Sequence, residues 1–463
     1  MRIEKYKRIF CDVISAATSW ILFFIYRKEI IEQVSFDVSE TLIYGTISVT
    51  LLWMSIYTLS GNYIDVRRVS RINELYRTII QSTIGCLIIF FGLIIDDIEH
   101  YQNYTTYYQA LSVLISLHFS CTFLVRYIIT TNVVRKIQNK QITFKTIIIG
   151  NTTTIPNVVQ SLNSTPQSTG NKIIGYINTE NREIDNIQIE RIGKTNDIEK
   201  IIENHKIEEA ILALGKDEYK ENINLINTLI YHDIITKVTP NLVDMLAGKV
   251  KMQSFFDIPF SEIKQIKMSF FETVLKRIID ITFSLAALLA LSPLLILIAI
   301  GVKLSSRGPV FYFQERLGIR SQKFNIIKFR SMYTNSEKGT PLLASKNDTR
   351  ITKWGKIMRK YRLDELPQFY NVLIGEMSII GPRPERDFFA KQILKKATHY
   401  KLIYKVKPGI TSWGMVKFGY AENLDEMIER LKYDIIYLEN LSLFSDFKVF
   451  ILTIFIILQG RGK

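Results

Sequence analysis

Asp364 and Glu365 stand side by side in Tyr361-Arg362-Leu363-Asp364-Glu365-Leu366-Pro367-Gln368, and neighbouring carboxylates can act as nucleophile, base or metal ligand. Pro367 is tolerated in a helix only within the first turn, so the pair is expected at or just before a helix start. A helix start is electropositive and presents free N–H groups, which suits phosphate. Side chains one residue apart on a helix point in different directions, which favours a division of labour over a shared proton. Asp364 as an N-cap with Glu365 as a first-turn acid is the competing reading. Bases bracket the pair. Lys328 and Arg330 lie upstream in Lys328-Phe329-Arg330-Ser331-Met332, and Arg383 lies downstream in Gly381-Pro382-Arg383-Pro384. Arg330 and Arg383 are candidates for clamping phosphate, because a guanidinium can bind two oxygens at once, and Lys328 is a candidate point charge. Arg316, Pro384, Glu385 and Lys407 complete the candidate substrate- and phosphate-binding set. For each base, a solvated surface position is the competing reading.

These residues sit in a chain of 463 residues with a net charge of +15, long enough for two or three domains. Such a charge suits anionic membrane surfaces and phosphate-bearing substrates. No basic stretch carries interleaved stacking aromatics, and no helix-turn-helix or zinc-finger spacing occurs, which argues against nucleic acid. Cys11, Cys86 and Cys121 are scattered through apolar runs and read as small core residues in a reducing compartment. His100, His118, His205, His232 and His399 show no ligand spacing. Arg2, Lys5, Lys7 and Arg8 precede an apolar run without a small-residue cleavage site, so no cleavable signal is expected.

The elements that position the pair begin in a membrane. Apolar segments at about 9–26, 42–59, 79–95 and 107–130 approach the length that a bilayer requires. The N-terminal tail, the loop with Arg67, Arg68, Arg71 and Arg77, and the stretch with Arg135, Lys136, Lys140 and Lys145 are basic. The first loop balances its bases with Glu29, Glu32, Asp37 and Glu40, and the third carries Asp96, Asp97 and Glu99, so both ends of the bundle should face the cytoplasm. Asp12 lies one turn inside the first span, where solvation from the interface is the expectation. Residues 1–140 thus form a four-span bundle.

From 141 to 262, short strands alternate with helices: Phe144–Ile149, Lys172–Ile177, Glu209–Leu214 and Ile235–Thr239 extended, with Ile155–Leu162, Asp197–Lys206 and Glu218–Tyr231 helical. That alternation predicts a Rossmann-like parallel sheet. The first turn, Gly150-Asn151-Thr152-Thr153-Thr154, lacks two of the glycines that let a pyrophosphate approach, which argues against cofactor binding. A mixed linker, Lys249–Lys267, leads to a mostly helical domain over 263–463. It opens with an apolar run, 278–302, broken at Ser292-Pro293 and flanked by Lys276 and Arg277 on one side and Lys303 and Arg307 on the other. Bases at both ends give a crossing no direction, and Pro293 favours a sharp bend, so a re-entrant membrane hairpin is expected. Ile351, Trp354, Ile357, Met358 and Tyr361 recur at helical spacing beside bases and predict a helix lying in the membrane interface. Phe447–Leu458 is too short to span and reads as interfacial or buried.

Taken in order, Lys328-Phe329-Arg330-Ser331-Met332, Asp364-Glu365-Leu366-Pro367, Gly375-Glu376-Met377-Ser378-Ile379-Ile380-Gly381-Pro382-Arg383-Pro384 and Lys407-Pro408-Gly409-Ile410-Thr411 closely resemble the bacterial polyprenyl-phosphate sugar-1-phosphate transferases. The resemblance is strong over the C-terminal domain and holds in outline for the rest, including a middle module and a re-entrant hairpin. It implies a bacterial inner-membrane enzyme with its middle and catalytic domains in the cytoplasm. The substrates it implies are a nucleotide sugar, expected to be a UDP-sugar, and a polyprenyl phosphate lipid, expected to be undecaprenyl phosphate. Asp364 would attack the sugar-bearing phosphorus to form a covalent phosphosugar-enzyme, releasing nucleoside monophosphate, with Glu365 and Mg²⁺ assisting. Asp364 and Glu365 are then the candidate Mg²⁺ ligands, in keeping with the preference of a hard cation for carboxylate and phosphate oxygens. Glu376 departs from the Asp that relatives often show there. The apolar bundle and middle domain leave room for a homodimer. The competing functions are a nucleotide-sugar oxidoreductase or dehydratase centred on the middle domain, and a non-catalytic membrane scaffold.

Overall fold

The computed structural model describes residues 2–94, 104–164, 169–180, 182–184, 187–215, 218–239, 260–334, 348–419 and 421–459. Asp96, Asp97, Glu99, His100 and the 249–259 part of the expected linker lie outside them. Helices α1 (Arg2–Tyr26), α2 (Glu40–Leu59), α3 (Arg71–Ile89) and α4 (Tyr104–Gln138) form the bundle, and each is long and apolar enough to cross a membrane. Ser39 and Ser70 cap α2 and α3 by accepting from Leu42 N and Asn73 N. Trp20, Phe23, Trp53, Tyr57, Cys86 and Ile89 pack the bundle core. Gly85 is required there, because a Cβ would stand 2.3 Å from the Trp53 ring. That ring in turn stacks on His118, with centroids 3.5 Å apart.

Through this core runs a polar network. Arg126 grips Asp12 with two bonds, Nε to Oδ1 at 2.8 Å and Nη2 to Oδ2 at 3.0 Å, and Tyr63 donates to Oδ2 at 2.8 Å. Arg8 donates through Nη2 to both oxygens of Glu74, at 2.6 and 2.8 Å. Asp12, Glu74 and Arg126 have no exposed surface, which corrects the expectation of a solvated Asp12. Its counter-charge lies 114 residues away on α4, beyond any local pattern. Removing one partner would leave an uncompensated buried charge, at a cost of about 3–5 kcal/mol. Asp12→Asn should therefore lower the unfolding temperature of the purified protein sharply, and Asp12→Leu combined with Arg126→Leu should cost less than Asp12→Asn alone; an unchanged transition in Asp12→Asn would refute this.

The middle domain is a six-stranded sheet in the order β3-β2-β1-β4-β5-β6, built from β1 (Phe144–Gly150), β2 (Asn171–Asn178), β3 (Arg191–Gly193), β4 (Glu209–Ala213), β5 (Ile235–Val238) and β6 (Ser261–Glu262). The first five strands run parallel and β6 is antiparallel. Ile147 and Ile149 face a cluster with Ile201 and Leu229, while Ile148 faces one with Ile155 and Val158, so helices cover both faces. Strand β3 was not expected, because three residues carry no periodicity. The expected helix Glu218–Tyr231 breaks at Asn222 into two. At the switch point, Asn151 Oδ1 accepts from Thr153 N and Thr154 N at 3.0 and 2.8 Å. Glu218 accepts from Asn151 Nδ2 and Gly215 N at 2.8 and 2.9 Å. The N–H groups of Thr153 and Thr154, at the start of the following helix, are thus bonded within the turn.

Next come two helices, Phe270–Ala290 and Ser292–Ser305, meeting at a 63° bend. Pro293 falls in the first turn of the second, and Ser292 Oγ donates to Leu289 O at 2.8 Å. Lys276, Arg277 and Asp280 then clasp the hairpin to the rest of the domain. Lys276 Nζ donates to Ile380 O at 2.9 Å and Asp446 Oδ2 at 2.5 Å, and Arg277 forks onto Val372 O and Leu373 O at 2.6 and 2.7 Å. Asp280 Oδ1 accepts from Ile379 N at 3.0 Å. The stripe expected in the interface divides across the short helix Lys353–Lys360. Trp354 and Met358 pack on Ile298 and Val302 of the hairpin, with Trp354 against Gly301, whereas Ile357 and Tyr361 remain exposed. The C-terminal helix, Leu443–Leu458, leaves Phe444, Phe447 and Phe455 exposed.

Candidate active site

An antiparallel hairpin, Phe311–Leu317 with Lys323–Phe329, delivers Lys328 and Arg330. Arg362 adopts a left-handed conformation (φ 56°) and turns the chain into the short helical turn Leu363–Glu365. Pro367 then starts the helix Gln368–Ile374, which makes no side-chain cap bond at its N-terminus. The plain N-cap reading of Asp364 therefore does not hold. Both carboxylates are buried, at 7% and 6% exposure.

Lys328 Nζ lies 2.8 Å from Glu365 Oε1, and Arg383 Nη2 lies 3.7 Å from the same oxygen. Burial alone would raise the Glu365 carboxyl, but Lys328, Arg383 and Arg362 outweigh it and hold the group well below the usual carboxylate range. Asp364 is pushed the other way. Burial and then the Glu365 charge raise its carboxyl, against the opposing pull of Lys328 and Arg359. Burial lowers Lys328, with Glu365 opposing. The pair thus comprises one firmly ionised acid, tied by bases, and one basic carboxylate.

A second cluster lies beside it. Glu385 bonds Arg430 Nη2 at 2.5 Å and Arg316 Nη1 at 3.2 Å, and Arg316 also donates to Pro384 O at 3.1 Å. Burial opposes ionisation of Glu385, yet Arg430, Arg316 and Arg383 hold its carboxyl below the ordinary range. Arg383 therefore acts on both Glu365 and Glu385. Asp434 accepts from Gly414 N at 3.0 Å, and burial pushes it up to about 6. Arg430 and Asp434 escaped the sequence reading. Their i, i+4 spacing on the amphipathic helix Leu424–Glu439 was the available signal.

Not every expected residue joins this group. Arg330 donates to Ser306 O at 2.7 Å, Arg307 O at 3.2 Å and Val302 O at 3.5 Å, so it closes the C-terminus of the second hairpin helix. A Cβ on Gly308 would stand 1.9 Å from Arg330 Nη1, so that glycine makes room for the guanidinium. The fork expected to clamp phosphate is thus engaged by carbonyls at this helix end. Lys407 meets Arg277 beside Gly375, where an added Cβ would lie 3.4 Å from Lys407 Nζ and 3.3 Å from Arg277 Nη2. Burial and then Arg277 lower the Lys407 ammonium. Glu376 is held by Asn371 Nδ2 at 2.8 Å, while Asn371 also accepts from Ile327 N.

The C-terminal domain, residues 271–460, matches the family model described as bacterial sugar transferase. A UDP-glucose:undecaprenyl-phosphate glucose-1-phosphate transferase of Xanthomonas campestris pv. campestris is 35% identical over 267 residues, 57% of this chain and 55% of that protein. A UDP-N-acetylgalactosamine-undecaprenyl-phosphate N-acetylgalactosaminephosphotransferase of Aeromonas hydrophila is 39% identical over 219 residues, 47% of this chain and 51% of that protein. An uncharacterized sugar transferase of Bacillus subtilis (strain 168) is 34% identical over 190 residues, 41% of this chain and 90% of that protein. The aligned stretch spans about half the length of the first two relatives. Fold and site together define a membrane protein whose hairpin-anchored domain carries a buried acidic pair among bases. The chain belongs to the bacterial sugar transferase family.

If Arg330 closes a helix end, Arg330→Lys should destabilise the protein by about 1–3 kcal/mol through orphaned carbonyls while leaving nucleotide-sugar affinity within about twofold. Thermal unfolding and equilibrium binding on the same preparation check this; a stable variant with much weakened binding would restore the phosphate role.

Proposed function

We propose that this chain transfers a sugar 1-phosphate from a nucleotide sugar, a UDP-sugar by analogy with the named relatives, to a polyprenyl phosphate such as undecaprenyl phosphate. Nucleoside monophosphate leaves, and the product opens a polysaccharide or glycoconjugate assembly. One observation carries the reading: Asp364 and Glu365 are buried side by side with Lys328 Nζ 2.8 Å and Arg383 Nη2 3.7 Å from Glu365 Oε1, an arrangement in which burial raises the Asp364 carboxyl. In the first step an Asp364 oxygen bonds to the sugar-bearing phosphorus as the bond to the nucleotide's other phosphate breaks. In the second, a lipid phosphate oxygen bonds to that phosphorus and the Asp364–phosphorus bond breaks, restoring the carboxylate. Arg383 and Lys328 offset the negative charge gathered by two anionic substrates.

Two adjacent buried carboxylates are the kind of donor that Mg²⁺ takes together with waters and substrate phosphates. Asp364 and Glu365 would hold it, and it would supply neutralisation of phosphate charge. The middle-domain oxidoreductase reading is disfavoured by the self-satisfied turn at Gly150–Thr154. A scaffold has no use for two buried acids set among bases. A homodimer would leave the chemistry unchanged, since every residue named comes from one chain.

Asp364→Asn keeps the size of the side chain, so the fold should survive while turnover falls by several orders of magnitude. Wild type incubated with a UDP-sugar and no lipid should release UMP and carry a phosphosugar on the peptide containing Asp364. Substantial turnover in Asp364→Asn, or an adduct elsewhere, would falsify the assignment.

We place the protein in the bacterial inner membrane with its middle and catalytic domains in the cytoplasm, from the basic ends of α1 and α4 and the basic α2–α3 loop. Single cysteines replacing Lys267 and Arg307, both exposed on opposite flanks of the hairpin, should react with an impermeant thiol reagent only from the cytoplasmic side. Labelling of the two from opposite faces would mean that the hairpin crosses.

A further inference from the structure

A cavity of about 280 Å³ opens between the first turns of α1 and the last turns of α4, lined by Glu4, Lys7, Ile129, Asn132, Arg135 and Lys136 among others. Glu4 is matched by Lys136, with Oε1 and Nζ 2.6 Å apart, so Lys7 and Arg135 supply an excess positive charge at an exposed rim. Bases deeper in the bundle do not alter this balance, because Arg8 is paired with Glu74 and Arg126 with Asp12. One to two turns further into the bundle, the outer faces of the same helices expose Phe10 and Ile14 on α1, and Leu124, Tyr127 and Ile128 on α4. A basic, amide-lined cavity standing directly over an apolar track matches an anionic headgroup with an acyl or prenyl chain below it. A soluble anion would have no use for the track.

We infer that this cavity is a binding site for a phosphate-headed lipid, separate from the acidic pair. Lys7 and Arg135 attract the phosphate, Asn132 offers an amide donor, and the chain lies over Phe10 and Ile128. Basic pockets between membrane helices at a cytoplasmic surface are suited to such headgroups. The inference depends on α1 and α4 spanning the membrane and is independent of the chemistry at Asp364. Two lipids share the headgroup chemistry, an anionic phospholipid of the bulk bilayer and a polyprenyl phosphate.

Native mass spectrometry of the full chain in detergent, titrated with phosphatidylglycerol or phosphatidylcholine, tests it. Wild type should retain phosphatidylglycerol in preference to phosphatidylcholine. Lys7→Gln with Arg135→Gln should weaken that retention by about 30-fold, as expected for two bases near the surface. Arg71→Gln with Arg77→Gln, which removes equal charge from exposed positions on α3, should change it by no more than about twofold. Asn132→Trp, which fills the cavity without altering charge, should also reduce retention and guards against misfolding of the double variant. Displacement of phosphatidylglycerol by polyprenyl phosphate would identify the lipid substrate as the preferred occupant, and resistance to displacement would identify bulk phospholipid; both support the site. Equal retention of phosphatidylcholine, or equal loss in the α3 variant, overturns it in favour of general surface charge.

Discussion

The clasp formed by Lys276, Arg277 and Asp280 sets where everything else in the C-terminal domain lies. These side chains bond the carbonyls of Val372, Leu373 and Ile380 and the N–H of Ile379, tying the hairpin to the acidic-pair helix and the strand after it. Arg277 thereby grips the end of the helix Gln368–Ile374, whose other end follows directly from Asp364 and Glu365. Seven helical residues span only about 10 Å, so the acidic pair is held within one short helix of the hairpin. The 63° bend at Leu291 divides the apolar run into two helices, of which the first carries the clasp.

Within that frame, two adjacent carboxylates acquire opposite characters from their neighbours. Glu365 faces Lys328 and Arg383 and stays ionised despite burial. Asp364 has the same burial, the Glu365 charge beside it and weaker compensation, so its carboxylate is the more basic of the two. Lys328 and Arg383 lie against Glu365, whereas burial and the Glu365 charge act on Asp364.

What was legible in the sequence follows a physical line between local and non-local information. Hydropathy and loop charge marked the four spans, and alternation of strands with helices marked the middle sheet, because each pattern repeats within a few residues. The acidic pair was visible because Pro367 marks a helix start. Asp12 was misjudged because its partner, Arg126, belongs to another helix, and no spacing links them. The carbonyl partners of Arg330 were out of reach for a related reason: a guanidinium fork fits phosphate oxygens and helix carbonyls equally well, and only the fold shows which carbonyls are near. The Glu385–Arg430 pair joins residues 45 apart, and its importance emerged only with the packing of the helix Leu424–Glu439.

The middle domain shows a complementary use of charge. Its Glu208 and Glu209 meet Arg67 and Arg68 of the bundle, and its Glu199 and Asp233 meet Lys401 and Lys405 of the C-terminal domain. At each of these junctions the acid belongs to the middle domain and the base to a membrane-seated neighbour. Pairs that are partly exposed contribute little individually, and apolar contact reinforces them: Arg68 lies over the Phe144 ring at 4.0 Å, and Ile230 and Tyr231 pack on the C-terminal core. The internally satisfied turn at Gly150–Thr154 leaves this sheet without the usual phosphate cradle, so its acidic flanks, which join two basic membrane domains, are the feature that the rest of the chain uses.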